Sequence, residues 1–372
     1  MKVLHVLYSG LGGHGNVFFS FVKGANKNIF SYQAIFNGIE PVKPEYIETC
    51  SAHHIPWSFI SKKPGLDLEY YRQFVKQIKD SDADIIFLHS SAYIMPARLG
   101  CMFSKKRKKI IVRETQANHL KVKMEWVWLF VAMIIADRIV FLSEAYREEI
   151  KKKLNWVYRQ KKIVVIPNGI DLGFYNPATV DKKSKKMVIG MQSRLVRIKD
   201  HVTLLEAFSG LLKENKNINL QLLLRIAGDG DQYQVLVDKA AALELGSAVE
   251  FTGMLPEKEL TGFLQSLDIY VHASLGETMS TAIMQAMAFG LPVIASDVRG
   301  IHNMITDGVN GILVPAKDAV AMQAAIQLLV SDDTRRTSLA AASRQYAEKK
   351  FSNTTMVNGY SQLFTESLKN NE

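Results

Sequence analysis

Short runs of apolar, mostly β-branched residues recur along this chain, and between them the apolar positions take on helical spacing. "KVLHVLYSG" opens the series and runs into a glycine-rich turn; "ADIIFLHS", "KKIIVRET" and "DRIVFLS" follow, each separated by helix-like sequence. Alternation of this kind predicts parallel βαβ units. "KIVVIPNGID" ends the first series with a Pro-Asn-Gly breaker. After the lysine-rich "VDKKSKK" the pattern restarts with "MVIGMQS", "LQLLLRIAG", "AVEFTG", "IYVHAS" and "PVIAS". Two successive series predict an α/β protein of two doubly wound, Rossmann-like domains, residues 1–170 and 171–352, joined near 168–186. The tail, "FSNTTMVNGYSQLFTESLK", places Met356, Tyr360 and Phe364 at four-residue spacing, one apolar helix face that could pack on either domain.

The longest apolar run, "WVWLFVAMIIA", has eleven residues, whereas a helix needs about 20 to span a bilayer core. The expectation is a soluble or peripheral protein, with "MKVLHVLYSG" a first strand rather than a leader. A length of 372 residues accommodates two large domains, and the formal net charge of +10 favours anionic partners: nucleotides, phosphorylated lipids or membranes. Lys121 and Lys123 precede the Trp126 segment, and "KKRKK" and "KKK" lie elsewhere; cations beside Trp suit an anionic membrane surface or are simply a solvated face. No motif places aromatics on a nucleic-acid platform, so nucleic acid is not an expected partner. Two cysteines, Cys50 and Cys101, form neither a disulfide framework nor a metal set and fit a reducing compartment.

Candidate chemistry gathers where strands give way to helices. "SGLGGHGN" follows the first strand, but its glycines, Gly10, Gly12, Gly13 and Gly15, depart from dinucleotide spacing, and no acid occurs before Glu40. Arg194 and Lys199 in "MQSRLVRIKDH" follow a strand of the second series, where two cations suit a diphosphate or a solvated face. In "GETMSTAIMQAMAFGLP", Thr278 or Ser280 caps a helix, Gly290 closes it and Pro292 stops its continuation. Glu277 sits at the positive end of that helix, as a dipole complement or as a site residue. His89, Arg113 and Glu114 stand at strand ends of the first series, the ligand-binding edge of such sheets, with burial or capping equally open to each. Asp82 with Asp84, and Asp229 with Asp231, read as turn chemistry rather than a Mg²⁺ pair.

The ordered set of these segments over nearly the whole chain resembles the retaining glycosyltransferases of the GT-B fold, glycosyltransferase family 4 (glycosyl transferases group 1). The resemblance implies two Rossmann-like domains with the active cleft between them and a final helix, 353–372, that crosses back to an acceptor-side first domain. It implies that Arg194 and Lys199 bind the diphosphate of a nucleotide sugar, a UDP-sugar in preference to a GDP-sugar, in the second domain. Gly12 and Gly13 would approach that diphosphate, and the amides of Met279, Ser280 and Thr281 would contact phosphate and sugar. Glu277 would be the catalytic carboxylate on the sugar hydroxyls, and "FTGML", with Gly253 and Leu255, would hold the base. His89, Arg113 and Glu114 would lie on the acceptor side. The family needs no metal and no cofactor beyond the nucleotide sugar.

Two features depart from the family pattern. Its second glutamate, the usual ribose ligand, is Gln285 here; its first-domain histidine has no clear counterpart among Glu114, Gln116 and His119. The implied reaction is hexosyl or N-acetylhexosaminyl transfer with retained configuration. The acceptor would be a lipid-linked glycan of bacterial surface polysaccharide such as lipopolysaccharide, reached from the cytoplasmic face of the inner membrane. A nucleotide-sugar epimerase or hydrolase, and a non-catalytic partner of a polysaccharide assembly complex, are the alternatives. The sequence sets no oligomeric state.

Overall fold

The structure is a computed structural model that describes residues 1–10, 13–24, 29–116, 118, 121–176, 186–215 and 220–369. The chain divides into two compact units, Met1–Gly169 with the last helix, and Ile170–Ser352.

Unit 1 alternates seven strands with helices: β1 (Lys2–Tyr8), α1 (Gly13–Gly24), β2 (Ser31–Gly38), α2 (Pro44–Ala52), β3 (Trp57–Ser61), α3 (Leu68–Asp80), β4 (Ile85–Leu88), α4 (Ile94–Met102), β5 (Lys109–Arg113), α5 (Lys123–Ile135), β6 (Arg138–Phe141), α6 (Glu144–Lys153) and β7 (Ile163–Val165). All pairings are parallel and the order is β3-β2-β1-β4-β5-β6-β7. The order reverses between β1 and β4, where neighbouring loops diverge and leave a crevice. Successive residues of β1 face opposite sides: Val3 and Leu7 enter one apolar cluster, Leu4 and Val6 the other. A strand buried on both faces therefore reads as a continuous apolar run.

Unit 2 repeats the plan: β8 (Lys186–Gln192), α7 (His201–Glu214), β9 (Gln221–Ala227), α8 (Tyr233–Ala242), β10 (Val249–Gly253), α9 (Glu257–Ser266), β11 (Ile269–His272), α10 (Thr281–Ala288), β12 (Val293–Ser296), β13 (Ile312–Val314), α11 (Ala319–Ser331) and α12 (Asp333–Lys350). Its parallel order is β10-β9-β8-β11-β12-β13, reversing between β8 and β11. Met187, Ile189 and Met191 of β8 enter one core with Leu204, Phe208 and Ile326.

The last helix, α13 (Asn353–Lys369), packs into unit 1. Met356, Val357, Tyr360, Leu363 and Phe364 join the cluster that holds Val3 and Leu7. Phe364 stacks on Phe21 at 5.7 Å between ring centroids and meets Phe87 edge-on at 5.4 Å. Each such buried side chain contributes about 1.5–3 kcal/mol.

Candidate functional site

The strand ends at the unit 2 reversal carry a connected polar cluster. β8 ends at Gln192 and β11 at His272. The loop after β8 brings Lys199; the loop after β11 brings Glu277 and then α10. Backbone contacts join the two loops. Leu275 N–H donates to the Ile198 carbonyl at 2.8 Å, and Ser274 Oγ donates to the same oxygen at 3.2 Å. Residues distant in sequence are thereby held together: Lys199 Nζ bonds Glu277 Oε1 directly. A third loop closes on the corner, because a Cβ at Gly300 would stand 1.9 Å from the Glu277 carbonyl oxygen. Only glycine allows that approach.

Glu277 also meets His272, Nε2 to Oε1, at 2.7 Å. Burial pushes the Glu277 carboxyl up, but the hydrogen bond to His272 and the charge and hydrogen bond of Lys199 outweigh it and hold the carboxyl at about 2. His272 is fully buried, and burial lowers its pKa against the pull of Glu277. Its Nδ1 lies 3.3 Å from the Tyr270 hydroxyl, which donates to the Gln192 carbonyl at 3.2 Å. His201, 3.0 Å from Ser193 Oγ, is held at about 3 by burial and by the neighbouring His272 and Lys199.

Of the two cap candidates, Ser280 is the one that caps α10, accepting from Ile283 N–H at 3.4 Å. The amides around Met279, Ser280 and Thr281 precede the helix's own hydrogen-bond ladder and share its positive end. Gly290 follows the helix at φ +66°, the left-handed conformation of a helix stop. Arg194 is exposed on the loop after β8. Gly253 ends the edge strand β10 at φ +71°, and Leu255 lies half-buried two residues on.

Gln285 lies one face along α10, buried, and its amide is engaged at both ends. Gln192 Nε2 donates to its oxygen, and its own Nε2 donates to the Tyr175 hydroxyl at 2.6 Å. Tyr175 in turn donates to Glu257 Oε1 at 3.3 Å. No sequence motif marks His272, Gln192 or Tyr175 as a site residue. His272 and Gln192 have a visible signal, a polar residue ending an otherwise apolar strand; Tyr175 has none.

In unit 1 the sequence candidates gather at the other reversal. His89, after β4, is buried with Nε2 3.1 Å from Nδ1 of His5 on β1. Burial, then the charges of His5, Arg113 and His14, push His89 well below its usual range. Arg113 ends β5 fully buried; its Nη2 donates to Asn168 Oδ1 at 2.5 Å, while Nε and Nη1 find no partner among the described residues. Glu114 pairs with Lys121 at 3.0 Å. Lys121 is therefore buried in a pair that also meets Tyr146, and the expectation that it serves a charged surface is corrected. Gly13 opens α1; Gly12 and His119 lie outside the described residues. His14 Nε2 donates to the Gly10 carbonyl at 3.0 Å.

The acidic pairs have other partners: Asp82 bonds Lys2, Asp84 lies 2.5 Å from Lys106, and Asp229 accepts from Gly230 N–H at 2.8 Å. Among the described residues no group of three His, Cys, Asp or Glu side chains could hold a metal. Gly228 and Gly230 of that turn let it abut the loop after β8, since a Cβ at either would meet the carbonyl oxygen of Ser193 or Leu195 at 1.8 or 2.3 Å.

Comparison with known proteins covers both units. The model for Glycosyltransferase Family 4 matches residues 11–174, and that for Glycosyl transferases group 1 matches 176–349. An uncharacterized glycosyltransferase of Methanocaldococcus jannaschii is 25% identical over 80% of this chain and 79% of its own. The lipopolysaccharide core biosynthesis glycosyltransferase LpsE of Rhizobium meliloti is 29% identical over 56% of this chain and 59% of its own. Several other curated relatives match over only about half of their length, such as a D-inositol 3-phosphate glycosyltransferase of Corynebacterium urealyticum at 53%. Among solved structures, Anabaena HepE in complex with UDP-glucose superposes with a TM-score of 0.81 at 18% identity, over 98% of this chain and all of that one. The lipopolysaccharide outer core galactosyltransferase WaaB superposes with a TM-score of 0.73 at 17% identity, over 98% of this chain and 100% of its own. This chain belongs to glycosyltransferase family 4, built as the two Rossmann-like units of the GT-B fold.

Proposed function

We propose that the protein is a retaining glycosyltransferase that moves a hexosyl or N-acetylhexosaminyl group from a nucleotide diphosphate to a lipid-linked glycan. The observation that carries this reading is the Lys199–Glu277–His272 cluster at the positive end of α10. Arg194, Lys199 and the α10 amides take the diphosphate and stabilise it as it leaves, an anion hole assembled before reaction. Glu277, ionised throughout the neutral range, accepts hydrogen bonds from the sugar hydroxyls. The departing phosphate accepts the proton of the attacking hydroxyl, and the two cations supply the charge that a metal provides elsewhere. Gly253 and Leu255 flank the base, and Gln285 reaches the ribose by exchanging one of its present partners. Gly12 and Gly13 approach the diphosphate, and His89, Arg113 and Glu114 belong to the acceptor side. A UDP-sugar is the preferred donor; HepE, of like fold, is known with UDP-glucose bound.

The lipid part of the reading rests on unit 1. Helices α4 and α5 expose Met95, Leu99, Met102, Met124, Val127 and Ile134. Trp156, 70% exposed, lies tilted against Phe130 at 4.8 Å between ring centroids, and Lys153 Nζ stands 3.6 Å from the Trp126 ring centroid. Apolar side chains with cations beside them suit the cytoplasmic, anionic face of a bacterial inner membrane. Among the described residues no helix is long and apolar enough to cross one. Radiolabelled UDP- and GDP-sugars incubated with the protein and membrane extract test the whole: label enters the lipid fraction with an α-linkage from an α-linked donor. Absence of transfer from every donor, or an inverted product, overturns it.

A further inference from the structure

Glu277 has two partners of different mobility. Lys199 is a flexible side chain still 16% exposed, whereas His272 is a fully buried ring at the end of β11. A diphosphate that draws Lys199 to itself therefore strips the carboxylate of its charged partner and leaves the histidine in place. A carboxylate so largely buried is costly without a cation, and without a second anchor it loses its aim. Both nitrogens of His272 already face acceptors. Nε2 faces Glu277 Oε1 at 2.7 Å, and Nδ1 faces the Tyr270 oxygen at 3.3 Å, whose own proton is committed to the Gln192 carbonyl. Two acceptors, one per nitrogen, are the partners an imidazolium needs.

We propose that His272 is the positioning residue of this site: it holds the Glu277 carboxylate while Lys199 moves to the donor diphosphate, and it binds a proton from solvent as Lys199 leaves. The proposal rests on the donor-site reading above. The one bond formed is the second N–H of the imidazolium, its proton taken from solvent; Lys199 exchanges one anion for another, and the proton replaces its charge beside Glu277. The direction follows from the groups that face the ring. Burial and the charge of Lys199 hold His272 down, while Glu277 draws it up, so departure of Lys199 removes one opposing influence. His201 is held neutral, and Tyr270, pushed up by burial, stays protonated. Ser280 Oγ, 3.4 Å from Nε2, does not titrate.

Calorimetric titration of the full chain with UDP-glucose and, in parallel, GDP-mannose tests this, in buffers of differing ionisation heat between pH 6 and 9. The diphosphate of a nucleotide sugar has no titrating proton in that range. Between the pKa of His272 in the free protein and its higher value in the complex, wild type is expected to take up close to one proton per ligand and its Kd to rise about tenfold per pH unit, levelling off above the complex value. H272Q keeps an amide donor for Glu277 but cannot titrate; it is expected to bind without proton uptake and with flat affinity, and to retain more kcat than H272L. K199M is expected to bind weakly and also without uptake. If wild type takes up no proton, or H272Q takes up as many, the proposal fails while the donor site stands. If K199M binds as tightly as wild type, or neither sugar nucleotide binds at all, the donor-site reading fails and takes the proposal with it.

Discussion

At the reversal of the unit 2 sheet, the strand ends are joined by a continuous set of hydrogen bonds from Glu257 through Tyr175, Gln285, Gln192, Tyr270 and His272 to Glu277 and Lys199. Near the reversal of the unit 1 sheet stand His5 in the middle of β1, His89 after β4 and Arg113 at the end of β5, and polar atoms there stand open. His5 Nε2, His89 Nδ1, two nitrogens of Arg113 and one oxygen of Glu114 have no partner among the described residues. The rings of Phe18, Phe21, Tyr32 and Phe87 enclose His5 edge-on instead. The first six strands of the two sheets share one order, so topology does not decide how far each site is satisfied, and in unit 2 Gln192 Oε1 is the atom of the set left without a partner among the described residues. The residues on and after the strands decide it, and function resides in them rather than in the fold.

The contrast is open to attack from three sides. The largest effect is expected in turnover: Glu277→Ala should lower kcat by about 10³, roughly 4 kcal/mol, as loss of a preorganised electrostatic group does. Gln285→Ala should leave kcat nearly unchanged and raise the donor KM. Steady-state kinetics with the identified donor reads both, and equal effects would dissolve the assignment. Next, Lys121→Met strands the Glu114 carboxylate inside unit 1 and should destabilise that unit by about 3 kcal/mol. Denaturant unfolding followed by hydrogen exchange should place the loss in unit 1, with most of it restored by adding Glu114→Gln.

The smallest effect is a pH slope. Burial holds His5 at about 3, below its unfolded value, so beneath pH 6.5 the unfolded chain binds a proton that the folded chain refuses. Stability therefore falls as pH falls, by about 1.4 kcal/mol per unit, or roughly 2 kcal/mol between pH 6.5 and 5. Urea midpoints across that range should show it, and His5→Phe, a ring suited to the same aromatic cage, should flatten the slope by that amount. Glu277, also held below its ordinary value, gives a slope of the same sign in a lower window: its contribution is present above the ordinary carboxyl range and is lost as pH falls from there toward 2.

Much of the fold is legible because strands buried on both faces read as unbroken apolar runs, as in β4, β5 and β11. β2 and β3 give no such run because polar residues interrupt them, and β13 gives none because it has three residues, two half-buried. The corner at Glu277 is legible because cap, helix and stop are local. Its engagement is not: Lys199 and Glu277 meet only because Ile198 pairs with Leu275 across two loops. Lys121 taught the converse. Its place before a Trp-rich run suggested a surface cation, yet the fold buries it against Glu114, a contact no local spacing encodes.

The last helix has a bearing on how the molecule is made. Domains ordinarily complete themselves in the order they leave the ribosome. Here Tyr360 and Phe364 fill a core begun by Val3 and Leu7. The first unit therefore waits, unfinished, until α13 has been made, while the second can close ahead of it. A truncation that removes α13 would strike the core begun by β1, and holdase chaperones should be found on unit 1.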